Sequence, residues 1–260
     1  MFGTFLFLGT GASSGVPVIG CKCAVCTSSS PLNHRLRPSG LLKLPEKNLL
    51  IDVGPDFRQQ ALRYGIDRLD GLLLTHTHYD HIAGIDELRI FYFRQNKELP
   101  LLLSQESFSN LKIRYPYFFQ RVEDTLTISA RLELHLLPQD MGNTEFAGVD
   151  IGYCTYRQGE MSVNGYRIGN FAYVSDIREY DDSVFQALEG VQYLVLSALR
   201  EESSKLHLSL EEAVAFARRV GAKQTRLTHL SHHIDHETAN ARLPKDVQLA
   251  FDGMEMKFEI

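Results

Sequence analysis

The sequence predicts an α/β fold in which two β-sheets pack together with helices on their outer sides. Three observations carry that expectation. Residues 41–44 and 48–53 are apolar runs separated by Pro45-Glu46-Lys47, which reads as two strands around a turn. Residues 69–74 form a short, bounded, continuous apolar run, the pattern of a buried strand. In the last third of the chain, helical and strand patterns alternate. Early paired strands followed by an alternating part suit two sheets flanked by helices. The chain has 260 residues, enough to bury one large core, and shows no internal repeat, low-complexity linker or domain boundary. One domain over 1–260 is therefore expected.

Taken in order, residues 2–8 read as a first strand, since they lack the basic flank and cleavage-type segment of a signal peptide. The following loop, GTGASSGVPVIG, places Gly9, Gly11 and Gly15 like a dinucleotide fingerprint, but it runs into Pro17 and cysteines with no helical pattern behind it. These glycines instead let backbone pass close to a site. After the paired strands, Asp56 is placed as the N-cap of a helix reaching Tyr64. Residues 85–93 and 105–114 read as helices, with a strand at 99–103 between them. The aromatic segment 115–119 is assigned to core packing rather than to a substrate mouth. Strands are expected at 131–137, 149–156, 160–163 and 171–175, and Asn164-Gly165 reads as a hairpin turn. A helix at 180–188, a strand at 193–196, a helix at 210–220 and a strand at 225–228 complete the pattern. Cys154, alone in a predicted strand, is a core residue.

Composition narrows the function. A formal charge of −5 argues against a broad polyanion-binding surface, and no apolar run approaches the about 18 residues that span a bilayer. Three of the four cysteines lie within six positions, which suits a metal clip in a reducing compartment better than a disulfide framework. A cytoplasmic protein without membrane partners is expected, with a closed symmetric homodimer as the prior for its oligomeric state.

The chemistry concentrates in Thr75 to Gly84, THTHYDHIAG, which puts His76, His78, Asp80 and His81 into six positions directly after the run 69–74. Imidazole nitrogens and carboxylate oxygens are what zinc, manganese and iron accept. In an extended strand end His76 and His78 point to one side, and a turn would bring Asp80 and His81 round to a second ion. Asp176, after the strand-like FAYVS, could bridge two ions. Cys21-Lys22-Cys23-Ala24-Val25-Cys26 offers three thiolates, one donor short of a closed tetrahedral zinc site, and His232, His233 and His236 in THLSHHIDH are candidates for the fourth.

The string His-x-His-x-Asp-His after a hydrophobic strand resembles the metallo-β-lactamase superfamily, which implies a four-layer αββα sandwich around a dinuclear metal site. Together with Cys-x-Cys-x-x-Cys and the late THLSH, it resembles the branch that contains the phosphonate-pathway cyclic phosphate phosphodiesterase. The resemblance implies that His76, His78, Asp80, His81, Asp176 and His229 ligate two divalent ions (zinc, manganese or iron). It implies that Cys21, Cys23, Cys26 and His232 hold a structural zinc within a loop near 17–39. Asp52, in Asp-x-Gly, would orient ligands without binding metal. His207 matches the branch's non-ligand active-site histidine, able to donate a proton to a leaving oxygen or to hydrogen-bond a phosphate oxygen. Asp80 and Asp176 would position a metal-held hydroxide and receive its proton. One departure stands out: Gln158 occupies the place of a third histidine on the first ion, and a neutral amide oxygen binds transition metals less well than imidazole. His135 has no sequence reason to replace it, and Arg35 and Arg37 are left between orienting the zinc loop, meeting a phosphate and a solvated loop.

The expected function is hydrolysis of a small cyclic phosphate or nucleotide-like phosphodiester. Three rivals are weighed against it. One is a ribonuclease-Z-like or exonuclease activity, disfavoured by the acidic balance and the lack of a basic arm. The second is a non-catalytic metal-binding or carrier-like protein with a degraded site, which Gln158 favours. The third is thioester or lactone hydrolysis on the same metals.

Overall fold

The structure is a computed structural model that describes residues 1–119 and 129–260. In chain order, the first half supplies β1 (Phe2–Gly9), β2 (Ser39–Leu44), β3 (Lys47–Ile51), α1 (Phe57–Tyr64), β4 (Gly71–Leu73), α2 (Tyr79–Ile82), α3 (Arg89–Gln95), β5 (Leu99–Leu103), α4 (Gln105–Arg114) and β6 (Leu132–Leu136). The second half supplies β7 (Met141–Phe146), β8 (Val149–Gln158), β9 (Met161–Ile168), β10 (Phe171–Val174), α5 (Ser183–Ala187), β11 (Tyr193–Ser197), α6 (Leu210–Val220), β12 (Gln224–Thr228), α7 (His236–Asn240), β13 (Val247–Leu249) and β14 (Glu255–Glu259).

These strands form two seven-stranded sheets, ordered β14-β1-β2-β3-β4-β5-β6 and β13-β12-β11-β10-β9-β8-β7. Each is antiparallel on one side and parallel on the other, where helices cross over. The strand period of two sorts side chains between layers. Phe5, Phe7, Leu42, Leu49, Ile51, Leu73 and Leu102 meet Tyr153, Tyr166, Phe171, Tyr173 and Val195 in the core between the sheets. Their neighbours Leu6, Leu8, Leu41, Leu50, Leu72 and Leu101 face Phe57, Ile85, Leu88 and Phe91 on the outer side. Ala172, Leu194 and Leu196 likewise face Phe216 and Ala213 of α6. The result is the αββα order of layers. Among the described residues no helix is long and apolar enough to cross a membrane.

Three local expectations are corrected or refined. The chain runs straight through Asn164-Gly165 inside β9, and the turn lies instead at Gly159-Glu160, between the paired Gln158 and Met161. Asn164 is held by tertiary partners: its amide N–H donates to Thr75 O at 2.9 Å and its side chain to Thr155 Oγ1 at 2.8 Å. Gly165 serves packing, since a Cβ there would meet the Tyr156 ring at 3.1 Å. Asp56 does occupy the N-cap position of α1, which ends at Tyr64 as expected, but its side chain makes no cap hydrogen bond; its carboxylate accepts from Arg37 N at 2.8 Å and pairs with the Arg37 guanidinium at 3.1 Å. The helix expected at 85–93 is split into a 3-10 turn, Ile85–Leu88, and α3. Strands β7, β13 and β14 and helix α7 were not expected. In the aromatic segment, Tyr115, Phe118 and Phe119 pack half-buried against the outer core, while the Tyr117 hydroxyl donates to Asp86.

Candidate metal centres

Parallel strands end together, and open sheets place ligand sites beyond those carboxyl ends. Asp52 follows β3, Thr75 to His81 follow β4, Asp176 follows β10 and His229 follows β12. Asp52, Asp176 and His229 all adopt left-handed backbone, with φ of 59°, 56° and 62°. Such positions cost on the order of 1–3 kcal/mol each and persist where surrounding structure fixes them. Asp176 is fixed by its N–H donating to Ser197 Oγ at 2.7 Å, and Leu230, next to His229, donates to Thr10 O at 2.8 Å. Beneath the His-rich turn, Gly54 admits the backbone: a Cβ there would lie 2.1 Å from Asp80 O.

The side chains converge as two groups sharing one carboxylate. His76, His78 and Asp176 form one group of inward donors, and Asp80, His81 and His229 a second. His76 Nε2 lies 2.9 Å from His78 Nδ1 and 3.4 Å from Asp176 Oδ2. His81 Nε2 lies 3.4 Å from Asp80 Oδ2 and 3.3 Å from Asp176 Oδ2, and His229 Nε2 lies 3.3 Å from both Asp80 Oδ2 and Asp176 Oδ1. Burial alone would raise both carboxyl groups, but the imidazoles of His81 and His229 hold Asp80 and Asp176 far below the usual range.

This donor set fits divalent ions. His81 Nδ1 is engaged by Asp52 Oδ2 at 2.7 Å, whereas its Nε2 is buried, faces two carboxylates and has no hydrogen-bond partner. Thr75 Oγ1 donates to the Asp52 carboxylate, with contacts of 2.8 and 3.0 Å, and lies 2.9 Å from His76 Nδ1, from which it can accept. Asp52 therefore fixes both rings with their Nε2 lone pairs inward, the arrangement of a histidine prepared for a metal. Thr75 was not singled out by sequence, although its place in the motif beside Asp52's partner strand was a usable signal.

A cleft of about 830 Å3 opens over these groups, lined by Tyr79, Gln158, Met161, Leu206 and His207 among others. His207 sits in the loop before α6, whose start is fixed by a reciprocal cap: Glu212 N donates to Ser209 Oγ at 3.2 Å, and Ser209 N to Glu212 Oε2 at 2.8 Å. Its ring stacks on His229 with centroids 4.9 Å apart, and burial, with His229 adding, pushes it down to about 4. Gln158, the last residue of β8, reaches the same place: its Nε2 lies 3.4 Å from Asp176 Oδ2 and 3.0 Å from His207 Nε2. His135 is not brought to the site; it sits on β6, pairs with Glu133 at 3.2 Å and packs on Phe146.

Cys21, Cys23, Cys26 and His232 form a second, separate cluster. His232 Nδ1 lies 3.4, 3.6 and 3.5 Å from the three sulfurs. One ring nitrogen cannot hydrogen-bond three thiols at once. Tetrahedral zinc with bonds of about 2.3 Å to sulfur and 2.0 Å to nitrogen would set these separations near 3.5 Å. The Cys26 N–H donates to Cys23 Sγ at 3.4 Å and pushes that thiol down to about 6, burial opposing and His232 adding. His233 and His236 stay outside the cluster. Arg35, fully buried, donates to Ser231 O and Ile234 O at 2.9 Å each, clamping the turn that carries His232, so its role is to orient this loop. Arg37 is the partner of Asp56.

Comparison with known proteins bears on this arrangement. A family profile described as a β-lactamase superfamily domain matches residues 47–230. The octanoyltransferase of Porphyromonas gingivalis is 33% identical over 253 residues, covering 96% of this chain and 50% of that protein. Coenzyme PQQ synthesis protein B of Methylobacterium nodulans is 35% identical over 98 residues, 32% of this chain and 33% of that protein. The chain thus spans about half the length of the first of these curated relatives and matches a third of the second. Among solved structures, a diphosphatase of the PhnP family superposes with a TM-score of 0.91 at 38% identity, covering 99% of this chain and 98% of that one. Zinc-bound PqqB from Methylobacterium extorquens superposes with a TM-score of 0.77 at 16% identity, covering 97% and 99%, a likeness of fold.

Proposed function

Because the chain belongs to the metallo-β-lactamase superfamily, in its PhnP-like branch, we propose that it is a metal-dependent hydrolase that cleaves a small cyclic phosphate or nucleotide-like phosphodiester. The observation that carries this is Asp176, whose two carboxylate oxygens lie 3.3–3.4 Å from His76, His81 and His229 at the floor of the cleft. A carboxylate shared between two three-residue groups suits a pair of ions, with His76, His78 and Asp176 on the first and Asp80, His81, His229 and Asp176 on the second. Zinc, manganese or iron there would supply charge to stabilise phosphoryl oxygens and would acidify water at neutral pH.

The chain's own groups do the rest. Asp80, held ionised by His81 and His229, orients the attacking water by accepting a hydrogen bond from it. His207, neutral at pH 7 and stacked over His229, presents a ring N–H to a phosphoryl or leaving oxygen, which places it as a hydrogen-bond donor more than a full acid. Cys21, Cys23, Cys26 and His232 hold a structural zinc, and their thiol chemistry supports a reducing, cytoplasmic setting. Among the described residues lining the cleft there is no lysine or arginine, which favours a small substrate over nucleic acid.

The test is turnover by chain reconstituted with each ion, on bis-para-nitrophenyl phosphate, a ribose cyclic phosphate, a nucleoside diphosphate and, given the octanoyltransferase relative, an octanoyl thioester. Phosphodiester turnover lost in Asp80→Ala is expected. Turnover confined to the anhydride or the thioester would move the substrate class, and no turnover with any ion would leave a metal-binding protein.

A further inference from the structure

We infer that the two ion positions are unequal because of Gln158: the first is a weaker, exchangeable position closed by the Gln158 carboxamide oxygen, and the same carboxamide couples its occupancy to the placement of His207. The inference rests on the two-ion hydrolase reading above.

The donor sets differ in charge. The second position has two imidazoles and two carboxylates, from His81, His229, Asp80 and Asp176, whereas the first has His76, His78 and only the shared Asp176. The residue placed to complete the first is Gln158, 4% exposed at the end of β8, paired across the tight turn with Met161 and within 3.4 Å of the shared Asp176. Its amide orientation is fixed by its neighbours. An oxygen facing Asp176 Oδ2 at 3.4 Å would meet another oxygen without a proton between them, so nitrogen takes that side, within 3.0 and 3.2 Å of the His207 ring nitrogens. Oε1 is left buried without a hydrogen-bond partner, at the cleft wall. Buried acceptors are rarely unpartnered, and one whose own amide nitrogen lies 3.4 Å from the shared Asp176 carboxylate is matched by a cation. A neutral amide oxygen holds zinc less firmly than imidazole and suits harder ions such as manganese. Because the carboxamide is planar, holding Oε1 on an ion also fixes the direction of the N–H bonds toward His207.

The experiment strips the whole chain of ions and returns zinc or manganese in parallel. It measures affinity by calorimetry and ions retained after dialysis against a weak chelator. Cobalt substitution reports the cysteine position separately, through thiolate charge-transfer absorption. The chains compared are wild type, Gln158→His, the isosteric Gln158→Glu and His207→Ala. Wild type should keep one cleft ion and release the other about 10–100-fold more readily, with the smaller preference for zinc over manganese at the weaker position. Gln158→His and Gln158→Glu should each retain both, and His207→Ala should hold the second position as wild type does while loosening the weaker one, because coupling is reciprocal. The His207 ring NMR signals should shift as the last of the three zinc equivalents, the one that fills the weaker cleft position, is added. Two cleft ions held equally by wild type, or no tightening in either Gln158 variant, overturns the inference and leaves the two-ion centre standing. A His207 signal that has moved fully before that last equivalent overturns the coupling. A chain whose cleft takes no ion while its cysteine position fills overturns the hydrolase reading itself.

Discussion

Asp52 Oδ2 lies 2.7 Å from His81 Nδ1, and the same carboxylate holds Thr75 Oγ1, which stands 2.9 Å from His76 Nδ1. One fully buried aspartate thus sets the ring orientation in both groups of the cleft, although it touches neither ion position. Asp52→Asn keeps the volume but puts an amide N–H where His81 or Thr75 must donate. Ion affinity in the cleft should fall about 10–100-fold, with the cysteine position unaffected. Metal analysis after graded chelation measures this, and unchanged retention would show that the rings orient themselves.

His207 lines the cleft and lies with Asp176 and His229 in a further cluster of three possible donors, apart from the two groups built on the His-rich turn. With ions saturating, replacing it with alanine should leave ion content intact and lower kcat by roughly 100-fold or more, the range for a lost hydrogen-bond donor to a developing charge. A parallel loss of metal would instead make it a ligand. Since burial and His229 push it down to about 4, it stays neutral through the physiological range, and kcat should not decline from pH 6 to 8 on its account. A decline that His207→Ala abolishes would restore it as a proton donor.

Much of this was legible in the chain because the signals were local. The run 69–74 followed by HTHYDH, the Ser209–Glu212 cap and the helix at Leu210–Val220 each depend on residues within a few positions of one another. Asn164-Gly165 misled for the opposite reason: its turn propensity is overridden by hydrogen bonds to Thr75 and Thr155 and by the Tyr156 ring beside the glycine. The place of Gln158 was readable, but its bond to His207 joins residues 49 positions apart and needs coordinates. Strand β14 was readable and missed, since Met256 and Phe258 are buried between exposed Glu255, Lys257 and Glu259 in strict alternation.

The cysteine cluster gives a separate prediction. Cys26→Ser removes the buried sulfur of the set, which receives the Val18 N–H at 3.3 Å. One tightly held ion per chain should be lost, and because binding energy at such a site is folding energy, Tm should drop by roughly 5–10 °C. His229 stands three residues before His232 in the same loop, so cleft ion affinity should weaken too. Full thermal stability with one ion fewer would show that the loop is held by its protein contacts, Arg35 and Asp252 among them.

The last prediction concerns Asp252, which closes the long loop bearing those cysteines. Its Oδ1 accepts from Thr10 N at 2.9 Å and Thr10 Oγ1 at 2.7 Å, at the loop's start, and Oδ2 accepts from Leu36 N at 2.8 Å, at its end. Burial raises the carboxyl to about 6, the Leu36 and Thr10 donors opposing. A folded-state value above the unfolded one, about 3.9, means the native chain binds more protons between pH 4 and 6. Stability from this group is therefore full below pH 4 and is lost as pH rises through 6, by about 3 kcal/mol over two pKa steps. Ionisable partners elsewhere titrate in the same window, so the readout is the difference between wild type and Asp252→Asn in denaturant midpoints from pH 4 to 7. The variant should lose stability overall, because its amide N–H faces the Leu36 donor, yet the gap to wild type should narrow as pH rises. A gap that widens toward pH 7 would mean the ionised carboxylate is the better staple, and that the donors outweigh burial.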